Sequence, residues 1–307
     1  FHAELWGGRQ KKYDWLSQND AKTTSWTELE PAPPSYFFVP KTWIDEVEYN
    51  YHQSMKDVFI VSGQGVKTER DGIAVHFEEH GIEKTIRDFR DLDEHTIRDR
   101  YQLGTDSRDW KIANAKADVS EHREDSNVFR PILYRPFDVR YTWYSGQTRG
   151  FIGTPGFPVM RHMTSGPNLA MMVSRQASRG YRHVFISTTL ANVNALDTAG
   201  LFGSGPFFPL YLYPAADELD ASAGRRPNLS PEFLKALAEK LKLLQAGPHG
   251  LPQGVTPEDI FHYAYAVFHS PTYRTRYAEF LKIDFPRLPL TDNRDLFFRL
   301  AALGREV

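Results

Sequence analysis

The sequence predicts an α+β protein with a mixed N-terminal part, a β-rich recognition core and a helical C-terminal subdomain. Three observations support this prediction. Charged segments between residues 78 and 125 repeat apolar residues at three- and four-residue spacing, which is typical of amphipathic helices. Aromatic and β-branched runs broken by Gly and Pro follow up to residue 214, as in short strands. Helix-start signals then dominate, so we divide the chain into residues 1–125, 126–214 and 215–307.

Length and composition describe a folded chain. The 307 residues suffice for one large or two medium domains, and 41% are hydrophobic at a net charge of −2. With no cysteine, disulfides, thiolate metal sites and cysteine nucleophiles are excluded. The sequence contains no run of eighteen apolar residues, so it predicts no membrane span. We expect a cytoplasmic protein. The start FHAELWGG has neither an initiator Met nor the order of a signal peptide, so we expect a piece of a longer polypeptide.

The N-terminal part is expected to contain a short helix, a connector and a strand–loop–strand unit. LWGGRQKKYDWL predicts the helix, and the prolines between residues 26 and 40 impose an extended connector. DVFIVS and GIAVHF predict strands on either side of GQGVKTERD. A lone GQG is a weak phosphate-binding signal because a dinucleotide fingerprint needs a third glycine opening a helix. The loop can nevertheless present Lys67 and Thr68 at the surface.

The β-rich core coincides with a concentration of arginine. Residues 128–183 contain eight arginines, no lysine and one acid, Asp138, which gives this window +7 in a chain whose remaining residues sum to −9. Arginine's planar fork suits phosphate groups and the O6/N7 edge of guanine. Aromatic residues alternate with the arginines, and the strands deliver polar side chains at their ends. We expect these groups to face outward from one side of a sheet, toward a polyanion.

Individual segments of this core predict individual elements. FRPILYRPFDVRYTWY indicates paired strands with Pro136 at an edge or bulge, and NLAMMVSRQ indicates a buried strand ending at Arg175 and Gln176. SGQTRGFIGTPG is a loop around Arg149, PVMRHM predicts a helical turn, and VFISTTLANVNALD and PFFPLYLYP predict further strands. After a linker at 215–229, SPEFLKALAEKLKLL and TPEDIFHYAYAVFHS each begin with a cap residue and Pro, as helices do.

The sequence lacks the motifs of a self-contained enzyme. It has no P-loop, no GxSxG elbow, no HExxH and no catalytic methyltransferase motif, and its acids are scattered over helical faces. We therefore predict no catalytic residue, no metal site and no cofactor for this chain.

Several segments together resemble the C-terminal specificity region of Type ISP restriction–modification enzymes, and more loosely that of Type IIG enzymes. They include GQGVKTERD, YRPFDVRYTWY, PVMRHM, FPLYLYP and EDIFHYAYAVFHSPTYRTRYAEFLKIDFPRLPLT, in consistent order along nearly the whole chain. The resemblance implies target recognition on double-stranded DNA, beside an adenine N6-methyltransferase domain of the same polypeptide. It also implies that the parent enzyme uses S-adenosylmethionine, ATP and Mg²⁺, none of them bound by this region.

The mechanism expected of this chain is binding. Arginines on loops neutralise phosphates, while a few polar side chains reach base edges in the major groove. The predicted base-reading residues are Gln147, Arg149, Arg175, Gln176 and Arg179. The predicted phosphate-binding residues are Lys67, Thr68, Arg161, His162, Ser174 and Arg182. Arg135 and Arg140 flank Asp138 within the predicted strands, which favours a structural role for them.

Two other functions stay open at this stage. The arginine face could dock on the methyltransferase or another acidic partner without reading DNA, or the fragment could carry its own nuclease. The sequence does not disclose the recognition site, the groove that each loop enters or the oligomeric state.

Overall fold

The computed structural model describes residues 1–31, 36, 38, 46–177, 180–196, 205–215 and 224–307. Residues 1–48 form one compact unit and residues 49–307 another. The helices are α1 Arg9–Gln18, α2 Glu46–Tyr51, α3 Met55–Val58, α4 Asp71–Ala74, α5 Glu79–Asp91, α6 Glu94–Tyr101, α7 Ile112–Glu121, α8 Phe157–Thr164, α9 Pro231–Leu241, α10 Pro257–His269, α11 Pro271–Arg276 and α12 Arg294–Glu306. The strands are β1 Gln53–Ser54, β2 Phe129–Arg135, β3 Asp138–Trp143, β4 Ala170–Val173, β5 Val184–Ser187, β6 Leu190–Ala191, β7 Phe207–Pro209, β8 Tyr211–Leu212, β9 Arg226–Pro227 and β10 Arg287–Leu288. The predicted α+β class is confirmed.

The unit at residues 1–48 contains the predicted N-terminal helix, α1. His2 and Thr27 form a backbone bridge in which each N–H donates to the other residue's carbonyl oxygen at 2.8 Å. No residue of α1 is buried. The predicted proline-rich connector lies partly outside the described residues, which omit 32–35, 37 and 39–45.

The strands of the arginine-rich window belong to two sheets. In one, β2 pairs antiparallel with β3 and parallel with β6. In the other, β4 lies between β5 and β7 and pairs antiparallel with both. The segment VFISTTLANVNALD supplies β5 to one sheet and β6 to the other, so the single sheet expected from the sequence is wrong. The paired strands β2 and β3 are confirmed, but Pro136 lies in the turn between them and not at an edge or bulge.

Strand β4 separates two hydrophobic cores. All four of its side chains are buried, and they alternate between the cores because successive strand residues point to opposite faces. Met171 and Val173 pack with the apolar faces of α9, α10 and α12. Ala170 and Met172 pack with α5, α7 and the β2–β3 hairpin. The second core crosses the predicted domain boundary at residue 125, since Phe89 and Phe151 meet edge to face at 5.2 Å.

Two segments that the sequence predicts as strands contain short helices instead. In place of a strand over DVFIVS, α3 begins in a capping box: the Ser54 hydroxyl accepts from the N–H of Lys56, and the Asp57 carboxylate accepts from the N–H of Ser54. In place of a strand over GIAVHF, α4 occupies Asp71–Ala74, and only His76 continues as a bridge to Tyr141 of β3. Local hydrogen bonding overrides β propensity in both segments.

The GQG segment is a packing element. Gly63 bridges to Phe207 of β7, and Val66 bridges to Asn192 just after β6. A Cβ at Gly65 would overlap the carbonyl oxygen of Ala191 and press on the Phe207 ring. Glycine therefore lets this segment approach the strand backbones closely, a role that needs no bound phosphate.

The C-terminal helices begin where their caps predict. Ser230 accepts from the N–H of Phe233 at 3.1 Å, and Thr256 forms a capping box with Asp259. Part of the linker that precedes them, residues 216–223, lies outside the description. Among the helices of the described residues, none combines the length and the apolar character that a membrane crossing requires.

Candidate nucleic-acid interface

Loop 145–156 carries two of the predicted base-reading residues between buried anchors. The Ser145 hydroxyl and the Phe151 N–H donate to Oδ2 of Asp118 on α7, at 3.0 and 2.8 Å. Farther along, the N–H of Gly153 donates to the carbonyl oxygen of Thr68. Gln147 and Arg149 lie exposed between these anchors. The loop is therefore anchored on both sides of its two exposed side chains.

Asp118 is a site residue that the sequence analysis missed. Its side chain is 0% exposed, and burial raises the pKa of the carboxyl, although the hydrogen bonds from Phe151 and Ser145 oppose that shift. Nδ1 of His122 lies 3.2 Å from the other carboxylate oxygen. A Cβ at Gly150 would overlap the Asp118 carboxylate, so glycine is required where the loop crosses it. The carboxylate holds the loop by hydrogen bonds from inside the core.

Arg149 and Lys67 lie in one local group of charges. Arg149 has φ +60°, and its Nη2 lies 3.7 Å from Oδ1 of Asp109. Lys67 bridges to Thr154 through its backbone, and its ammonium contacts Glu69 at 2.5 Å. The pKa of Asp109 is lowered, first by a hydrogen bond from Arg108 and further by the charges of Arg149 and Lys67. The structure thus brings together two segments that are about eighty residues apart.

Loop 174–183 connects β4 to β5, and it begins and ends at the same edge of the sheet. Val173 pairs with Val184, so the two ends of the loop are neighbours. Ala177 and Tyr181 are buried in the core against the C-terminal helices, and the N–H of Ala177 donates to the carbonyl of Leu281 at 3.1 Å. Next to these anchors, Arg175, Gln176 and Arg182 are exposed.

The polar side chains at the start of this loop contact the 280–285 segment. Nε of Arg175 donates to Oδ1 of Asp284 at 2.8 Å, with both side chains about 60% exposed. Nε2 of Gln176 donates to the carbonyl of Ile283 at 3.1 Å. An ion pair this exposed contributes little to stability, roughly 0–1 kcal/mol, and is readily exchanged for another anion.

The other predicted residues of this loop differ in their surroundings. Ser174 is half-buried next to the strand end. Arg182 is exposed just before β5, and it has no ion-pair or hydrogen-bond partner within the described residues. Arg179 falls outside the described residues, so its predicted role has no structural counterpart here.

Two predicted phosphate ligands are interior groups. Thr68 is 2% exposed, and its hydroxyl donates to Asp71. His162 on α8 is 1% exposed, and its Nδ1 accepts from the N–H of Tyr213 at 3.0 Å. Burial excludes these two side chains from direct phosphate contact, which corrects the expectation drawn from their polar character. Arg161, the neighbour of His162, is half-buried on α8.

Arg135 and Arg140 have the structural roles expected of them. Arg140 makes a two-pronged contact with Asp138, with Nε–Oδ1 at 3.0 Å and Nη2–Oδ2 at 2.8 Å. Its guanidinium lies between the rings of Phe77 and Tyr134, 3.9 and 4.2 Å from their centroids. Arg135 donates to the carbonyl of Tyr134 at 2.6 Å. The two arginines stiffen the β2–β3 hairpin next to its turn.

No group of three or more histidines and carboxylates that could hold a metal ion occurs in the part of the chain that the structure describes.

A family model and solved structures match this architecture. The chain belongs to the family described as the Type ISP C-terminal specificity domain, whose model matches residues 57–307, and the resemblance inferred from the sequence is confirmed. No curated protein matches the chain.

Three solved structures are similar in fold. One is a cryo-EM structure of a DrdV–DNA complex, with 24% identity and a TM-score of 0.66, covering 98% of this chain and 29% of that one. Another is a nuclease-deletion mutant of the Type ISP restriction–modification enzyme LlaGI in complex with a DNA substrate mimic, with 20% identity, a TM-score of 0.61 and coverage of 97% and 26%. The third is the ATP-dependent Type ISP restriction–modification enzyme LlaBIII bound to DNA, with 20% identity, a TM-score of 0.59 and coverage of 84% and 16%. This chain thus spans less than a third of each of those chains.

Proposed function

We propose that this chain recognises a specific sequence of double-stranded DNA as the target-recognition part of a restriction–modification polypeptide. One observation carries the proposal: loops 145–156 and 174–183 are each anchored in a buried core and present exposed arginine and glutamine side chains. Rigid loops reduce the entropy lost on binding. Family membership and the DNA named with the similar solved structures support the same conclusion.

Roles within the site follow from chemistry and exposure. Gln147, Arg149, Arg175 and Gln176 are proposed to read bases, because Arg can hold O6 and N7 of guanine and Gln the N6 and N7 of adenine. Arg179 keeps this proposed role on sequence grounds. Lys67, Arg161, Ser174 and Arg182 are proposed to bind phosphates. The three cations among them would neutralise about three phosphates, so the logarithm of the binding constant would fall against log[salt] with a slope near −3.

Asp109 and Asp284 are proposed to hold the reading arginines until DNA arrives. The Arg175–Asp284 pair is solvent-exposed, and Arg149 is exposed in its 3.7 Å contact with the half-buried Asp109. A phosphate or a guanine edge can therefore replace each carboxylate at small cost. Asp284→Asn removes a negative charge that faces the polyanion and leaves the arginine in place. We therefore expect this variant to bind DNA several-fold more tightly, whereas Arg175→Ala binds more weakly.

The parent polypeptide supplies the chemistry in this proposal. Its methyltransferase domain packs against this region and receives the flipped adenine, and S-adenosylmethionine, ATP and Mg²⁺ serve its other parts. The chain described here positions the duplex and catalyses nothing. A cytoplasmic location follows from this role, because the substrate is chromosomal or invading DNA.

The test begins with salt-dependent binding of this chain to a random duplex pool, followed by selection of the retained sequences. Arg149→Ala and Arg175→Ala are expected to change which bases are selected, by about 1–3 kcal/mol at one position each. Arg182→Ala is expected to weaken binding to all sequences equally. The same variants of the parent polypeptide should show altered or uniformly reduced adenine methylation.

Three results would contradict the proposal. Binding that does not depend on salt, or no binding at low salt, would favour docking of the arginine surface on a protein. Identical selected sequences for the wild type and both reader variants would remove those residues from base reading. Mg²⁺-dependent nicking by the purified chain would make it a nuclease.

A further inference from the structure

The β2–β3 hairpin ends in an aromatic side chain at an unfavourable position. Arg135 pairs with Asp138, so Pro136 and Phe137 alone form the turn. Phe137 has φ +63°, a conformation that glycine adopts freely and a bulky residue adopts at a cost. Its side chain is 91% exposed. Neither backbone conformation nor burial explains a phenylalanine here, and strain of this kind concentrates at functional positions.

The ring of Phe137 is held in place from behind. It meets the half-buried ring of Phe185 on β5 edge to face, with centroids 5.5 Å apart, and His183 stacks on that same ring at 6.2 Å. Below the turn, the ion pair of Arg140 with Asp138 fixes the strand ends. The exposed tip of the hairpin is thus held by contacts on its inner side.

An exposed arginine adjoins the support of the tip along the chain. His183 directly follows Arg182, which is exposed and has no partner among the described residues. Because His183 stacks on the ring that supports Phe137, loop 174–183 returns to the sheet beside the hairpin tip. The tip presents an apolar ring, and Arg182 presents an exposed guanidinium one residue away from the His183 ring that stacks on Phe185. Together they complement a partner with an anionic exterior and a stacked aromatic interior. A base step of duplex DNA has that composition.

We propose that Phe137 is a wedge that inserts its ring between adjacent base pairs of the bound duplex while Arg182 holds a flanking phosphate. This inference rests on the proposed function and adds a DNA-distorting residue to it. Apolar wedges of this type part a base step and bend the duplex, so that sequence is also read through the deformability of the step. Pyrimidine–purine steps, which unstack most easily, are the expected insertion point.

The test uses a duplex retained by the wild-type chain from a random pool, with 2-aminopurine replacing each adenine of either strand in turn. Binding of the wild type is expected to brighten the probe several-fold at one step. Phe137→Gly relieves the strained φ and leaves the fold intact, but it should abolish the brightening and weaken binding about tenfold with an unchanged salt slope. Phe137→Trp should retain the brightening. Leu244→Ala, which truncates another exposed apolar side chain, is the matched control.

The outcomes separate the wedge from the proposed function. Equal brightening by wild type and Phe137→Gly overturns the wedge, as does wild-type binding that brightens no position. In both cases, salt-dependent binding leaves DNA recognition standing. If the wild type binds no duplex at low salt, DNA recognition itself fails. If Phe137→Gly detaches the methyltransferase domain in the parent polypeptide without changing the brightening, the ring contacts protein and the wedge is refuted.

Discussion

The carboxylate of Asp118 fixes loop 145–156, and replacing it tests that role directly. Asp118→Ala removes the acceptor of the Phe151 N–H and of the Ser145 hydroxyl. Asp118→Asn keeps an oxygen of the same size at the same place. We expect the first variant to loosen the loop and the second to preserve it.

The expected cost of Asp118→Ala follows from these contacts. Leaving the buried Phe151 N–H without an acceptor costs about 1–3 kcal/mol, and the lost bond to the half-buried Ser145 adds about 1 kcal/mol. The vacated space adds less than about 1 kcal/mol, and removing a buried charge offsets part of the sum. The net expectation is a loss of about 2–4 kcal/mol in the free energy of unfolding. Asp118→Asn should change it by less than about 1 kcal/mol.

Urea unfolding of the variants measures this difference, and hydrogen exchange at the Phe151 amide locates it. Asp99→Ala, at an exposed acid on α6, is the matched control. We expect exchange at Phe151 to quicken in Asp118→Ala and to remain slow in the other two variants. The reasoning is refuted if Asp118→Ala unfolds like the wild type with an unchanged Phe151 amide.

The pH dependence provides a second readout of the same residue. Burial raises the pKa of Asp118, so between the unfolded value and the higher folded value the native state retains a proton that the unfolded state has lost. The contribution of Asp118 to stability therefore falls as pH rises through that window, and it levels off above the folded pKa. The Asp118→Asn variant has no carboxyl that titrates at this position. Its free energy of unfolding relative to that of the wild type should therefore increase as pH rises from the unfolded to the folded pKa of Asp118. A constant difference would contradict a raised pKa.

Three further predictions concern other parts of the chain. Arg182→Ala should lower the magnitude of the DNA salt slope by about 0.9, because one phosphate contact is lost; an unchanged slope in a filter-binding titration would exclude that contact. Arg140→Ala should reduce the free energy of unfolding by about 1–2 kcal/mol through lost stacking and pairing, without altering the salt slope. Gly65→Ala should cost about 1–3 kcal/mol in urea unfolding, because its Cβ overlaps a strand carbonyl; full stability would contradict the close approach.

Local signals made part of this fold predictable. Cap residues such as Ser230 and Thr256 satisfy backbone groups a few positions away, so the starts of α9 and α10 can be read from sequence. The buried strand β4 was recognisable because its four residues form a continuous apolar run. The segment that became α3 was misread, because its β-branched residues favour strand while the capping box of Ser54 and Asp57 favours a helical turn. How strands join into sheets depends on long-range pairing, which no local pattern specifies.

The candidate site was predictable at the level of segments. Composition located the arginines, but exposure decides their role: Arg140 is enclosed by aromatic rings, whereas Arg182 is exposed. Asp118 was missed because it lies in a charge-rich region. Asp118 follows Ala115 by three residues and Ile112 by six, which places it beside the apolar face of α7. This spacing was the signal in the sequence that could have indicated a buried acid.

Strand β4 has a consequence for re-engineering this protein. Because its residues alternate between two interiors, a chimaera joined on either side of it must rebuild both interiors at once. A graft of residues 174–183 alone disturbs neither interior, provided that a small residue replaces Ala177 and an aromatic residue replaces Tyr181. New sequence preferences are therefore better sought by exchanging the exposed positions of this connection than by recombining larger blocks.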